Sequence, residues 1–298
     1  MHGCLCLRPF GLVFFLVLTA APGCEGPPFS PPEIPAGPSP DTAIEFDPAT
    51  AGTIRGRVIW DGDLPEVPPL VDQIQVSDDG IEERIIYENP NAPVIDPQTR
   101  GVAGAVVFLR GIDPRRGRPW DHPPVRVEAR DLRLHVLQGG TDSRIGFVRR
   151  GDSFEMVSRQ EAFHALRADG AAFFTLAFPD PESPLQRRLE RRGLVELSSG
   201  ASHYWMRAYL FVDDHPYYTR TDAEGRFTLP QVPPGRYQAV CWLPCWHREH
   251  LERNPDSGAV VRWFFRPPVE RARPVTLGAG EVRDLEFAIP ADPFGVSR

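Results

Sequence analysis

The sequence predicts an all-β protein, drawn as two interleaved β-sandwiches, and three observations carry that expectation. Short apolar runs of period two recur along the chain, Pro, Gly and Asp punctuate them, and 34 prolines in 298 residues leave little room for helices. A hydrophobic content of 41% is enough for a packed core. A formal charge of −7 points away from a nucleic-acid partner, and the exclusive use of Arg among 33 basic residues reads as GC-rich coding rather than function.

Residues 1–23 carry one early Arg and an apolar run from Phe10 to Leu18. That run is too short to span a bilayer, so the segment reads as a removed export signal. Its tail with Cys24, AAPGCE, resembles a bacterial lipobox, with Ala21 where Leu is commoner. The resemblance implies lipidation of Cys24 and a membrane-anchored lipoprotein on the periplasmic or outer-membrane face of the cell envelope. An ordinary signal peptide is the alternative. Residues 24–51 are Pro-rich and weakly apolar and read as a semi-rigid linker.

The globular part opens with Ile54, Gly56 and Val58 on one strand face before a turn at Gly62. The next strong strand is GVAGAVVFL at 101–109, so 63–100 read as a polar insertion with candidate strands at Val71–Val76 and Glu83–Tyr87. Further strands are expected at Val125–Ala129, Leu132–Leu137, Ile145–Arg149, Ser153–Val157, Phe173–Phe178, Gly193–Leu197 and Trp205–Val212. Pro184–Arg192, with Leu185 and Leu189 four apart, reads as the one helix. Val260–Phe265, Arg273–Leu277 and Val282–Ile289 close the chain.

The segment Thr219–Val240 reads as a hairpin. Thr221, Asp222 and Gly225 supply turn chemistry, Phe227 and Leu229 alternate with polar neighbours, and Pro233-Pro234-Gly235 breaks the run before Tyr237, Ala239 and Cys241. Gly235, after Pro234, is expected to need a positive φ. The Thr-Asp-x-x-Gly-x-Phe strand, Pro-Gly turn and Gly-x-Tyr strand resemble the end of a carboxypeptidase regulatory-like domain. That resemblance implies a small transthyretin-like β-sandwich, here from 52–110 and 213–290, of a kind that serves as scaffold or binding surface.

Between its halves, Gly151, Asp152 and Phe154 lead to Ser158 and His164, and Gly200 is followed by His203 and Met206. This resembles the copper loops of an amicyanin- or plastocyanin-type cupredoxin, with Ser158 at an Asn position and Gly200 where the Cys ligand stands, or Ser199 if the register is shifted by one. Trp205–Tyr209 and His215–Tyr217 fit the continuation seen in proteins that join the two modules. The resemblance implies a cupredoxin-like Greek key over 111–212. Blue copper needs a His₂Cys set with a weak axial Met, so a working electron carrier is not implied. No cofactor is therefore expected, and a vestigial or weak copper site at His164, His203 and Met206, helped by water or Glu161, is the alternative.

Cys241, Cys245, His247 and His250 form a second cluster. A disulfide, a metal site and free buried thiols remain open for it. Four extended residues span about 13 Å, so a bridge demands a turn at Leu243-Pro244. For catalysis, neither Gly-x-Ser-x-Gly nor His-Glu-x-x-His occurs, and Ser198 and Ser199 near His203 have no third group to orient the imidazole. Asp213-Asp214 and Asp61-Gly62-Asp63 read as acidic turns. Trp242, Trp246, Trp263, Tyr204, Trp205, Tyr217 and Tyr218 read as core, any exposed ring among them being suited to sugar faces. The expected function is a non-catalytic extracytoplasmic module that binds or supports carbohydrate or cell-envelope components, with a thiolate-free metal-binding protein as the alternative.

Overall fold

The protein is seen in a computed structural model that describes residues 45–291 apart from 77, 78, 81, 162, 179, 202, 257 and 259. The segment expected to be an export signal, Cys24 and nearly all of the expected linker lie outside the described residues. Four sheets account for most of the rest. The first joins Arg226–Val232, Gly52–Asp61 and Val282–Pro290. The second joins Tyr218–Arg220, Val106–Arg110, Gly235–Leu243 and Val269–Leu277. Ile145–Arg149, Arg207–Asp213, Gly193–Ser199, Ala165–Gly170 and Phe174–Ala177 form the third. Leu185–Arg188, Ser153–Ser158, Arg126–Arg130, Arg133–Gln138 and Thr141–Ser143 form the fourth. Val71–Val76 with Glu82–Tyr87, Val94–Ile95 with Val102–Ala103, and Arg248–Arg253 with Val260–Phe265 are two-stranded ribbons.

The sheets are layered, because alternate residues of the inner strands face different cores. Along Val106–Arg110, Val107 and Leu109 join the core between the first two sheets, while Val106 and Phe108 turn to the opposite side. Cys241 and Leu243 part from Val240 and Trp242 in the same way. On the third sheet, Tyr209 and Phe211 meet Phe108 and Trp242, while Ala208, Leu210 and Val212 pack into the core shared with the fourth sheet. Strands buried on both faces read as continuous apolar runs, as VVFL and AYLFV do here. The result is two sandwiches pressed together through a third, largely aromatic core.

Two expectations fail on pairing. Arg226–Val232 and Gly235–Leu243 are not a hairpin: the first pairs with Gly52–Asp61, the second with Val269–Leu277 and Val106–Arg110. They form an arch between the first two sheets, with Phe227 and Leu229 facing Ala239 and Cys241 across one core. Alternation marks a half-buried strand but does not say in which sheet it lies. Gly235 has no positive φ; Gln231 does, at 55°. Gly235 is crowded instead, since a Cβ there would sit 2.4 Å from the Tyr237 hydroxyl and would displace that ring from the bond it donates to Pro233 O at 2.8 Å.

The expected helix at Pro184–Arg192 is also absent. Leu185–Arg188 is a strand antiparallel to Ser153–Met156. Residues four apart share a face in a strand as well as in a helix, so Leu185 and Leu189 reach the same core by either route. The single helical turn among the described residues is Pro114–Arg116, and no helix there is long and apolar enough to cross a membrane.

The Thr221–Gly225 turn shows why those residue types occur. Thr221 Oγ1 donates to Val102 O at 2.6 Å and accepts from Ala105 N at 2.9 Å. Asp222 Oδ1 accepts from Glu224 N and Arg226 N at 3.0 and 2.7 Å. Gly225 has φ 76°, and a Cβ would lie 2.3 Å from Val58 O, so neither strain nor space admits a side chain.

Candidate functional site

His164 ends the loop before Ala165–Gly170, and His203 sits in the loop between Gly193–Ser199 and Arg207–Asp213. Those strands are second neighbours or closer in one sheet, which brings the two rings to 5.1 Å between centroids at 47°. Ser158 pins the first loop, its Oγ donating to Gln160 O at 3.1 Å, and Gln160 Oε1 lies 3.2 Å from His164 Nε2. His164 is 1% exposed. Nδ1 of each imidazole is buried without a hydrogen-bond partner among the described residues. Burial pushes both pKa values below the ordinary histidine range, and for His164 the neighbouring His203 adds to it. Two imidazoles with ring centroids 5.1 Å apart offer at most two nitrogen donors, the minimum for a weak metal site.

Met206 closes the same loop, its N donating to His203 O at 2.9 Å, but its side chain packs into the core at 2% exposure. Among the described residues no three His, Cys, Asp or Glu side chains gather around a metal position, and Glu161 is exposed. The strand parity revises the ligand register. Val195 and Leu197 face the core, so Ser199 shares their face, and its buried Oγ accepts from Ala201 N at 3.0 Å and His203 N at 3.3 Å. Gly200 turns the other way: a Cβ there would meet Thr175 Cγ2 at 3.0 Å and Ala165 Cβ at 3.2 Å. Ser199 therefore occupies the inward position that the resemblance assigned to 200.

The cysteine cluster does not assemble. Cys241 and Cys245 are free and buried. Gly235–Leu243 stays extended through Leu243, opposite Val269, so the turn needed for a bridge is not made. Burial raises the Cys241 thiol to about 12 and the Cys245 thiol to about 11, where thiolate ligation is unfavourable. His250 is exposed and stacks on Phe264 at 4.1 Å. Of the seven aromatic residues expected in the core, Trp242, Trp246, Trp263, Tyr217 and Tyr218 are buried, while Tyr204 and Trp205 are half-buried.

A larger feature escaped the sequence. A cleft of about 740 Å³ lies beside both sandwiches, walled by Tyr87–Val94, Arg133–His135, Asp142–Ile145 and the Trp205 and Arg207 side chains, with Leu243 and Pro244 on the far side. Trp205 stacks on Tyr87 at 4.1 Å and donates from Nε1 to Leu132 O at 2.9 Å. Its lining comes from seven separate stretches of chain, so no local motif could announce it.

No family model and no curated protein matches the chain. Among solved structures, a reduced amicyanin variant is 17% identical over 30% of this chain and 81% of its own, at TM-score 0.24. The Cu(I) form of another amicyanin variant is 15% identical over 36% and 97%, also at 0.24. A copper-containing nitrite reductase from Thermus scotoductus SA-01 is 13% identical over 35% and 25%, at 0.22. These neighbours are cupredoxin-like, and overlaps of this size carry no function to the present chain.

Proposed function

We propose that the chain is a non-catalytic binding module of the cell envelope, exported and held at a membrane through Cys24, with the cleft beside Trp205 as its ligand seat. The observation that carries this reading is the cleft itself. Its volume of about 740 Å³ falls in the range of small-molecule sites, and its wall mixes apolar side chains with a few fixed polar groups. The test is a panel of neutral, anionic and cationic small organic molecules, read by tryptophan fluorescence and thermal unfolding. Val94 lines the cleft and is 66% exposed, so Val94→Trp should fold normally and abolish any saturable signal. A panel with no saturable member, or signals that survive in Val94→Trp, would sink the reading.

A second reading, a thiolate-free metal site at His164 and His203, is favoured by the 5.1 Å ring pair with its unpartnered Nδ1 atoms. When bound there, copper would supply a redox-active centre; the chain would contribute the two imidazoles. Wild-type protein given Cu(II) should show at most a pale, weak site. Ser199→Cys should then gain an intense visible band, while Gly200→Cys, with its side chain on the outer face, should not. Uptake of no copper by wild type and both variants, all folded, would remove the metal reading.

A further inference from the structure

This inference rests on the cleft being a ligand seat, and it concerns the chemistry of the occupant. On a chain of formal charge −7, the cleft is lined by four arginines, Arg133, Arg144, Arg207 and Arg220, against the two carboxylates Glu88 and Asp142. A concave, low-dielectric wall of one sign focuses its field on what enters. Three of these six charges are already committed. Arg207 bonds Glu196 and the Trp263 carbonyl, and Arg220 donates to Ser143 Oγ and Ile145 O, both at 2.6 Å. Asp142 is held by Arg130 and by His135 Nδ1 at 3.0 Å.

Arg133 and Glu88 are exposed, which leaves Arg144 as the shielded charge without a partner among the described residues. It lies between the Thr141–Ser143 and Ile145–Arg149 strands, its backbone O accepts from Tyr209 N at 2.8 Å, and its Nη1 is buried with no acceptor among the described residues. Burial is the main influence lowering its pKa, Tyr209 opposes that shift, and Arg133 reinforces it. Arg144 as a whole is half-buried, so part of its guanidinium faces the cleft while the sealed Nη1 lacks a partner, an arrangement that is costly to the fold. A guanidinium presents a planar fork that fits a carboxylate or phosphate. Beside it stand Leu134, Ile145 and the Trp205 ring, which suit an apolar body rather than a fully hydrated ion.

We infer that the cleft binds a small organic anion, its carboxylate or phosphate head on Arg144 and its apolar body against Trp205 and Leu134. Arg133, exposed, adds positive charge to the lining, to which the stacked Trp205 and Tyr87 rings also belong.

Phenyl phosphate, benzoate, benzyl alcohol and benzylamine share a ring and differ in charge, so they test the inference by calorimetric titration of the full chain. Phenyl phosphate and benzoate should bind, the tighter of the two naming the head group. Benzyl alcohol and benzylamine should bind at least tenfold more weakly. Arg144→Met should weaken the anions at least tenfold and Arg144→Lys less. Ligand-free Arg144→Met should unfold at the same temperature as wild type or higher, because no partner is orphaned by the change; a purely structural Arg144 would give the opposite. Should Arg144→Met fail to fold, Arg133→Met, on an exposed side chain, should still weaken the anions about threefold. Benzyl alcohol bound as tightly as phenyl phosphate, or anion binding unchanged in the folded arginine variants, overturns the anion assignment while leaving a ligand seat. Binding of none of the four, with no signal from any other panel molecule, overturns the seat itself.

Discussion

Asn91 and Tyr209, 118 positions apart, share a buried hydrogen bond, the tyrosine hydroxyl donating to Asn91 Oδ1 at 2.9 Å. Asn91 Nδ2 donates in turn to Cys245 O at 2.8 Å, and Asn89 supports the pair by donating to Trp246 O at 2.9 Å. One amide thus ties the third sheet to the chain leaving the second. Asn91→Ala orphans a buried hydroxyl and a buried carbonyl, and should cost about 1–3 kcal/mol. Tyr209→Phe should cost less, because only Asn91 Oδ1 loses a partner. A denaturant midpoint unchanged by Asn91→Ala would show that water replaces the amide.

Gly235→Val should destabilise by about 1–3 kcal/mol through overpacking on the Tyr237 ring. Because the backbone there is ordinary, Tyr237→Ala in the same chain should recover part of the loss. Strict additivity of the two substitutions in denaturant melts would exclude the steric account.

The unfolding temperature should fall as the pH drops below 6.5. Burial lowers the pKa of His122, His164, His203 and His215 in the folded protein. The unfolded chain, with imidazoles at about 6.5, therefore takes up protons first. The stability these groups contribute is complete above 6.5 and is lost as the pH falls toward their depressed folded values. His164→Gln should flatten the profile between about pH 5 and about pH 7. A wild-type profile that is flat or rising on acidification through that range would contradict the assignment.

Cys241 and Cys245 should resist alkylation in the native protein at neutral pH and label fully in denaturant. Their raised thiol pKa values and their burial, 0% and 1% exposed, both suppress the thiolate. Peptide mapping after a brief iodoacetamide pulse distinguishes them from the other cysteines. Rapid native labelling of Cys245 would show that its loop opens.

Where alternation was strong and turn residues flanked it, the strands were legible: Ile145–Arg149 and Val260–Phe265 lie at the expected bounds. Ala165–Gly170 and Arg248–Arg253 were missed because ALRADG and REHLER carry too few apolar residues; the second is exposed throughout. The arch at Pro233-Pro234 was misread because periodicity reports a face, whereas sheet membership depends on partners far away in sequence. The proximity of His164 and His203 followed from spacing familiar in another family, yet the register at Ser199 required the strand's parity. Arg144 had no local signature at all, since its meaning comes from neighbours supplied by other layers.

The strand that opens the globular part, Gly52–Asp61, lies parallel to the one that closes it, Val282–Pro290, with Thr53 opposite Val282 and Asp61 opposite Pro290. A parallel neighbour cannot be supplied by a tight turn, so everything between the two strands serves as the crossover. During synthesis at about 5–20 residues per second, the opening strand must wait roughly 10–50 s for its partner. The inner sandwich, complete once Asp213 has emerged, has time to form first and then acts as the template on which the outer one closes. Until then the Gly52–Asp61 edge stands unpaired, which makes the interval before the last strand arrives the point of greatest exposure to misassembly.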